Sequence, residues 1–178
     1  MTVSTWFSKM LGTEKTLTNL KNVLVMQLRD LRSAEEQLIE ALPKMAQAAH
    51  SADLKSAFTT HLEETRGHKA RLDKAFKLLG LEPESETCEA MKGLIAEGDE
   101  VIGMEGDPDV KDAVLIAAAQ RVEHYEMAGY GCARAFARRL RQNRIGDLLQ
   151  ETLDEEANAD KILTEVAESG VNAEAAKA

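Results

Sequence analysis

The stretch HLEETRGHKARLDKAFKLLG, residues 61–80, reads as most of a helix whose buried face carries chemistry. His61, Glu64 and His68 fall in line with Leu54, Phe58 and Leu72 at three- and four-residue spacings. Residues so spaced share one helical face. Ionisable groups on an apolar stripe are costly to bury, and the usual escapes are an ion pair, a shifted pKa or a bound cation. Ser51 and Asp53 supply capping chemistry before this helix, and Gly80 followed by Pro83 stops it.

Upstream, a first helix is expected from about Thr16 to Ala49. Leu24, Leu28, Leu31, Leu38, Leu42 and Met45 mark its buried face, and Glu35 sits on the same stripe. Pro43 frees the Ile39 carbonyl and predicts a kink. The connection to the second helix is short, so the two should be antiparallel neighbours. Downstream, the segment from Glu84 to Gly106 holds one short helical pattern, Met91, Leu94, Ile95 and Val101, interrupted by Gly93 and Gly98. Asp107–Pro108 is a cap with proline at the first helical position. A third long helix follows to about Arg141, and a fourth from about Ile145 to Ala167. Residues 1–15 are expected to be flexible or to pack through Trp6, Phe7, Met10 and Leu11, and residues 169–178 to fray.

Two tightly joined helices, a connection of roughly 25 residues and two more tightly joined helices predict an all-α, ferritin-like four-helix bundle. The long crossover contains the extra short helix, and residues 16–168 form the bundle.

The other long helices also turn acids inward. Glu123, Glu126 and Tyr130 continue the face begun by Ile116 and Ala119. Glu156 and Asp160 are four apart on the last helix, whereas Glu155 aligns with Leu148, Thr152, Ile162 and Val166. Spacing leaves open which of Glu155 and Glu156 faces the core. Counting from a first turn near Ser51 sets His68 level with Ala34 and Glu64 with Leu38, bracketing Glu35. From a second turn near Asn143, Glu126 comes level with Lys161, beside Asp160. His124 reads as a neighbouring or surface residue.

Four helices aiming such groups at one another describe a di-metal carboxylate core. Oxygen anions neutralise two divalent ions, and imidazole adds a nitrogen donor suited to iron, with manganese the alternative. The chemistry implied is oxidation of Fe(II) by O2 or peroxide. Structural ion pairing with nothing bound is the competing reading, since 30% of the residues are charged.

Composition narrows the partners. The net charge of −9 disfavours nucleic acid and anionic membranes, which repel acidic surfaces. Arg138, Arg139, Arg141 and Arg144 cluster where a helix should end and complement its dipole. Cys88 and Cys132 are too few for a disulfide framework and fit a reducing, cytoplasmic setting, with Cys132 expected in the core. No apolar run approaches a membrane span.

LRDLRSAEEQLIEALPKMAQAA, HLEETRGHKARLDKAFKLLG, AAQRVEHYEMAGYG and ETLDEEANADKIL together resemble the YciE/YciF family of ferritin-like bacterial stress proteins. The similarity runs from about Thr16 to Glu168. It implies a dimeric bundle related to rubrerythrins, with ferroxidase activity. Against the rubrerythrin pattern, Glu35 looks like the first-helix glutamate and Glu123-His-Tyr-Glu126 like the Glu-x-x-Glu of the third helix. In a di-iron oxidase Glu35, Glu64, Glu126 and one of Glu155, Glu156 and Asp160 would be the primary ligands, with His61 or His68 adding nitrogen and Glu123 bridging or shifting between modes. Tyr130 would hydrogen-bond a ligand or donate an electron. Two positions depart from that pattern: histidines flank Glu64 on both sides, and Asn158 and Asp160 stand where the last helix would carry a histidine. More oxygen and less nitrogen implies weaker metal binding, or a preference for manganese or a non-redox ion. A manganese catalase-like activity is a more distant likeness, and a non-enzymatic helical binding module the remaining alternative.

Overall fold

The computed structural model describes residues 18–178. Five principal helices follow one another: α1 (Leu20–Ala48), α2 (Ala52–Leu78), α3 (Glu89–Gly103), α4 (Pro108–Arg139) and α5 (Asn143–Val166). A π-helical turn (Ala167–Val171) and the short α6 (Asn172–Ala175) complete the order. Trp6, Phe7, Met10, Leu11 and the expected helix start at Thr16 lie outside the described residues.

The helix ends follow their local chemistry. Asn19 caps α1 by accepting from the Asn22 N–H at 2.9 Å, which fixes the start at Leu20. Ser51 caps α2, accepting from the Leu54 N–H. Past α2, Gly80 takes φ 72° while the Leu81 N–H reaches the Phe76 carbonyl at 3.0 Å, the close of a Schellman turn. Asp107 caps α4, with Pro108 at its first position. Pro43 lies within α1 and leaves it continuous. Gly93 and Gly98 likewise lie inside an unbroken α3, so they do not interrupt the crossover helix as the sequence suggested. One helical turn continues beyond the π turn, and Val171 is buried against the core rather than frayed.

α1 and α2 form one hairpin, α4 and α5 the other; α1 packs on α4 and α2 on α5. The crossover helix α3 lies against α1 and α4. Asp112, buried on α4, clasps the first turn by accepting the His50 and Ser51 N–H groups at 2.8 and 2.6 Å. Arg32 ties α1 to α2 and the crossover through Asp73 at 2.7 Å and Ser85 at 2.6 Å.

The second tight turn departs from expectation. Arg141 occupies the left-handed region at φ 58°, and the Gln142 N–H bonds the Ala137 carbonyl at 2.9 Å. The turn therefore centres about two residues earlier than Asn143, and Glu126 comes level with Glu156 instead of Lys161. Arg138 and Arg139 close α4 as expected, but Arg141 sits in the turn and Arg144 opens α5. The cysteines also reverse: Cys132 is exposed and Cys88 buried. Cys88 caps α3, its sulfur 3.4 Å from the Met91 N–H and 2.9 Å from the Tyr125 hydroxyl.

Apolar side chains gather in two clusters. One holds Leu38, Leu42, Phe58, Leu115 and Leu163; the other holds Leu24, Leu28, Leu72, Phe76 and Leu149. Between them lies a polar layer.

Candidate metal centre

The polar layer is built from all four long helices. Glu35 comes from α1, His61 and His68 from α2, Glu123 and Glu126 from α4, and Glu156 from α5, and all six are buried. Each occupies a position that an apolar residue holds one or two turns away. On α5 the buried series runs Ile145, Leu149, Thr152, Glu156, Ala159, Leu163, which selects Glu156 over Glu155.

Two sets of donor atoms converge. His61, Glu123, Glu126 and Glu156 bring ligand atoms within 4.8 Å of one another, and so do Glu35, His68 and Glu156. Glu156 belongs to both. His61 Nε2 stands 3.5 Å from Glu123 and 3.6 Å from Glu156. His68 Nδ1 stands 3.0 Å from Glu156 and 3.5 Å from Glu35.

The opposite nitrogen of each imidazole meets a carboxylate on the outer side. Glu64 faces His61 Nδ1 at 3.3 Å, and Glu155 faces His68 Nε2 at 2.9 Å. Glu64 and Glu155 keep 30% and 31% of their side-chain surface exposed. They stand behind the histidines and are not among the converging donors; Thr65, not Glu64, is the buried neighbour on α2. Such outer carboxylates fix the tautomer and ring orientation of a ligating histidine. Arg71 holds Glu155 in turn with bonds of 2.6 and 2.8 Å. Its role was missed in the sequence, although it lies three residues beyond His68 on the same helix.

Asp160 stays outside the centre. It accepts from Gln120 at 3.1 Å and lies 3.4 Å from the exposed His124, because it is one turn beyond Glu156 toward the bundle's other end. Tyr130, fully buried, donates its hydroxyl to Glu35 Oε1 and leaves Oε2 free.

Electrostatics record how unusual this layer is. Burial raises Glu123 and Glu126 well above the ordinary carboxylate range; His61 opposes the shift at Glu123, whereas neighbouring acids add to it at Glu126. Burial also raises Glu35, against the pull of His68. Burial disfavours charge on His61, but Glu123, Glu64 and Glu156 outweigh it and push the imidazole up to about 9. His68, with Glu156 and Glu35 against burial, rises to about 11. Metal-free, both imidazoles therefore keep their protons at neutral pH.

A bonding deficit remains. Among the described residues, the buried side-chain polar atoms without a hydrogen bond are Arg29 Nε and eight atoms of these six residues. Six of the eight lie within 4 Å of an opposite partner in His–Glu ion pairs and the two Glu126 oxygens have neither kind of contact, so the layer is under-satisfied for buried polar groups. Four carboxylates and two imidazoles fit two divalent cations in charge and donor type.

Comparison with known proteins agrees with the architecture. The family described as Domain of unknown function (DUF892) matches residues 19–176. Protein YciF of Escherichia coli K12 is 42% identical over 160 residues, spanning 89% of this chain and 96% of that protein. The crystal structure of the E. coli stress protein YciF superposes with a TM-score of 0.84 at 43% identity, covering 88% of this chain and 99% of the other. YcfI from Rhodopseudomonas palustris gives a TM-score of 0.82 at 42% identity, covering 85% and 96%.

Proposed function

The chain belongs to the YciF family (DUF892), and from that premise we propose a ferritin-like stress-response protein whose polar layer binds two metal ions and oxidises Fe(II) with O2 or peroxide. The observation that carries this reading is the convergence of six buried residues into two donor sets that share Glu156, with eight of their atoms making no hydrogen bond.

Each side chain has work in this reading. Glu35, Glu123, Glu126 and Glu156 supply negative charge matching two divalent ions, and His61 and His68 supply nitrogen. Glu64 and Glu155 orient the imidazoles, and Tyr130 keeps one oxygen of Glu35 occupied so that the other faces inward. Iron, when bound, supplies the electrons that O2 or peroxide accepts. The apolar clusters on either side keep bulk water from the layer. Manganese is the alternative occupant, since sites of four carboxylates and two imidazoles hold either metal. The proposal includes the homodimer that the family resemblance implies, and a single-chain mass by light scattering would remove that part.

Anaerobic loading with Fe(II), followed by exposure to air, tests the reading. About two irons per chain are expected, with a near-ultraviolet ferric band that appears only with oxygen. Glu156→Ala should abolish both. Less than about half a metal per chain, with no oxygen-dependent change, would leave a structural ion-pair core and remove the oxidase reading.

A further inference from the structure

Between α2 and α5 a cavity of about 260 Å³ leads from the surface to the polar layer. Its wall is carbon: Ala57, Phe58, Ala159, Ile162 and Leu163. Exposed Thr60 stands at the mouth, and buried His61 and Glu123 form the floor. On the floor His61 Nε2 and Glu123 Oε2 face each other at 3.5 Å without a hydrogen bond, so a polar head can bridge them.

Size and lining argue for an organic occupant. A water molecule takes about 30 Å³, so the space is several times what O2 or hydrogen peroxide requires. It falls just short of the roughly 300–1,000 Å³ of drug-sized ligand sites, which suits a compact branched or aromatic molecule. Oxygen lines the cavity at Asp53, Ser56 and Thr60, which are exposed at the rim, at Glu64, which faces His61, and at Glu123 on the floor, so a hydrated cation meets carbon between rim and floor. Asp53 and Glu64 on the lining disfavour an anion, so the occupant is neutral.

We propose that this cavity binds a small neutral molecule with an apolar body and a polar head, and that the molecule is an organic hydroperoxide. The second half rests on the Fe(II)-oxidising reading above. The carbon skeleton lies along Ala57, Phe58 and Ile162, and the O–O group reaches the floor at His61 and Glu123. The O–O bond of ROOH breaks on taking two electrons from two Fe(II), which become two Fe(III). Two protons from solvent complete ROH and water.

Binding and chemistry are read separately. In the metal-free wild-type protein, cumyl alcohol, the product of cumene hydroperoxide reduction, should shift the methyl NMR signals of Ala57 and Ile162 saturably. Ala57→Phe, which fills the cavity from a half-buried position, should remove that response. In single-turnover oxidation of the Fe(II)-loaded wild type, cumene hydroperoxide should react at least as fast as hydrogen peroxide at equal concentration. In Ala57→Phe that rate ratio should fall at least tenfold. No saturable shift in the wild type, or cumene hydroperoxide slower than hydrogen peroxide by tenfold, would overturn this inference alone. If O2 and both peroxides leave Fe(II) unoxidised, the preceding reading fails and the hydroperoxide step falls with it.

Discussion

At the residue scale, the fate of the metal-free centre is a matter of protons. His61 and His68 titrate near 9 and 11 when folded, against about 6.5 when unfolded. A raised pKa contributes stability fully present below the unfolded value and lost as pH rises through the folded one. Burial raises Glu123 and Glu126 as well, a shift of the same sign, with stability falling as pH rises. The metal-free protein should therefore lose stability as pH rises from 6.5 to 9, by at most about 1.4 kcal/mol per pH unit for each extra proton held. Metal binding displaces those protons, so loading should stabilise more at pH 9 than at pH 6.5. Urea unfolding of both forms across that range decides it; parallel curves would contradict the proton-holding layer. Glu155→Gln should weaken metal binding about 10- to 100-fold without abolishing it, as loss of an orienting carboxylate does. An unchanged dissociation constant by calorimetry would make the Glu155–His68 contact incidental. Spacing alone brought all six central residues into view, since each sits on a stripe of apolar neighbours. It could not rank Glu155 against Glu156, because adjacent residues lie about 100° apart on a helix and either can border a core. The buried series through Leu149 and Ala159 settles the face, and Arg71 explains where the other acid goes.

At the element scale, the turns set the register of the donors. Asp112 holds the first turn from across the bundle, with both oxygens on backbone N–H groups. Asp112→Ala should cost roughly 1–3 kcal/mol, since it orphans two donors at a part-buried turn. Denaturant unfolding measures it, and a loss below about 0.5 kcal/mol would mean that water replaces the carboxylate. The second turn is held by Arg141 in a conformation that favours glycine. Its charge led the sequence reading to place it inside the end of a helix, and nothing in its chemistry announced a left-handed residue. That displacement of about two residues is why Glu126 was set beside Lys161 instead of Glu156. Gly80, by contrast, declared the end of α2 plainly. The two crossover glycines misled in the other direction: Met91 and Val101 are buried on α3, and packing outweighs a propensity cost of about 1 kcal/mol per glycine.

At the scale of the whole molecule, two hydrophobic clusters are divided by a layer that neither completes. The order of long and short connections made the bundle legible, because paired hairpins with one long crossover have few alternatives. Cys132 was misplaced because small, commonly buried residues tolerate either face, and only the packed bundle shows which way it turns. Two bound divalent ions would satisfy the unbonded atoms and join the clusters into one cooperative unit. Loading should raise the unfolding midpoint by several degrees, since a gain of about 1 kcal/mol is worth about 2–4 °C in a chain of this size. Calorimetry before and after chelation is the measurement, and identical transitions would detach the layer from stability.

The closeness of α1 and α4 has a further bearing on that layer. A Cβ at Gly129 would come within 2.8 Å of the Leu31 side chain, one turn before Glu35 and one after Glu126. The missing methyl thus leaves a berth for the tip of the buried Leu31 side chain beside the centre. A bulkier residue there would evict that tip first, so the disturbance would reach the donors only through the repacking of Leu31.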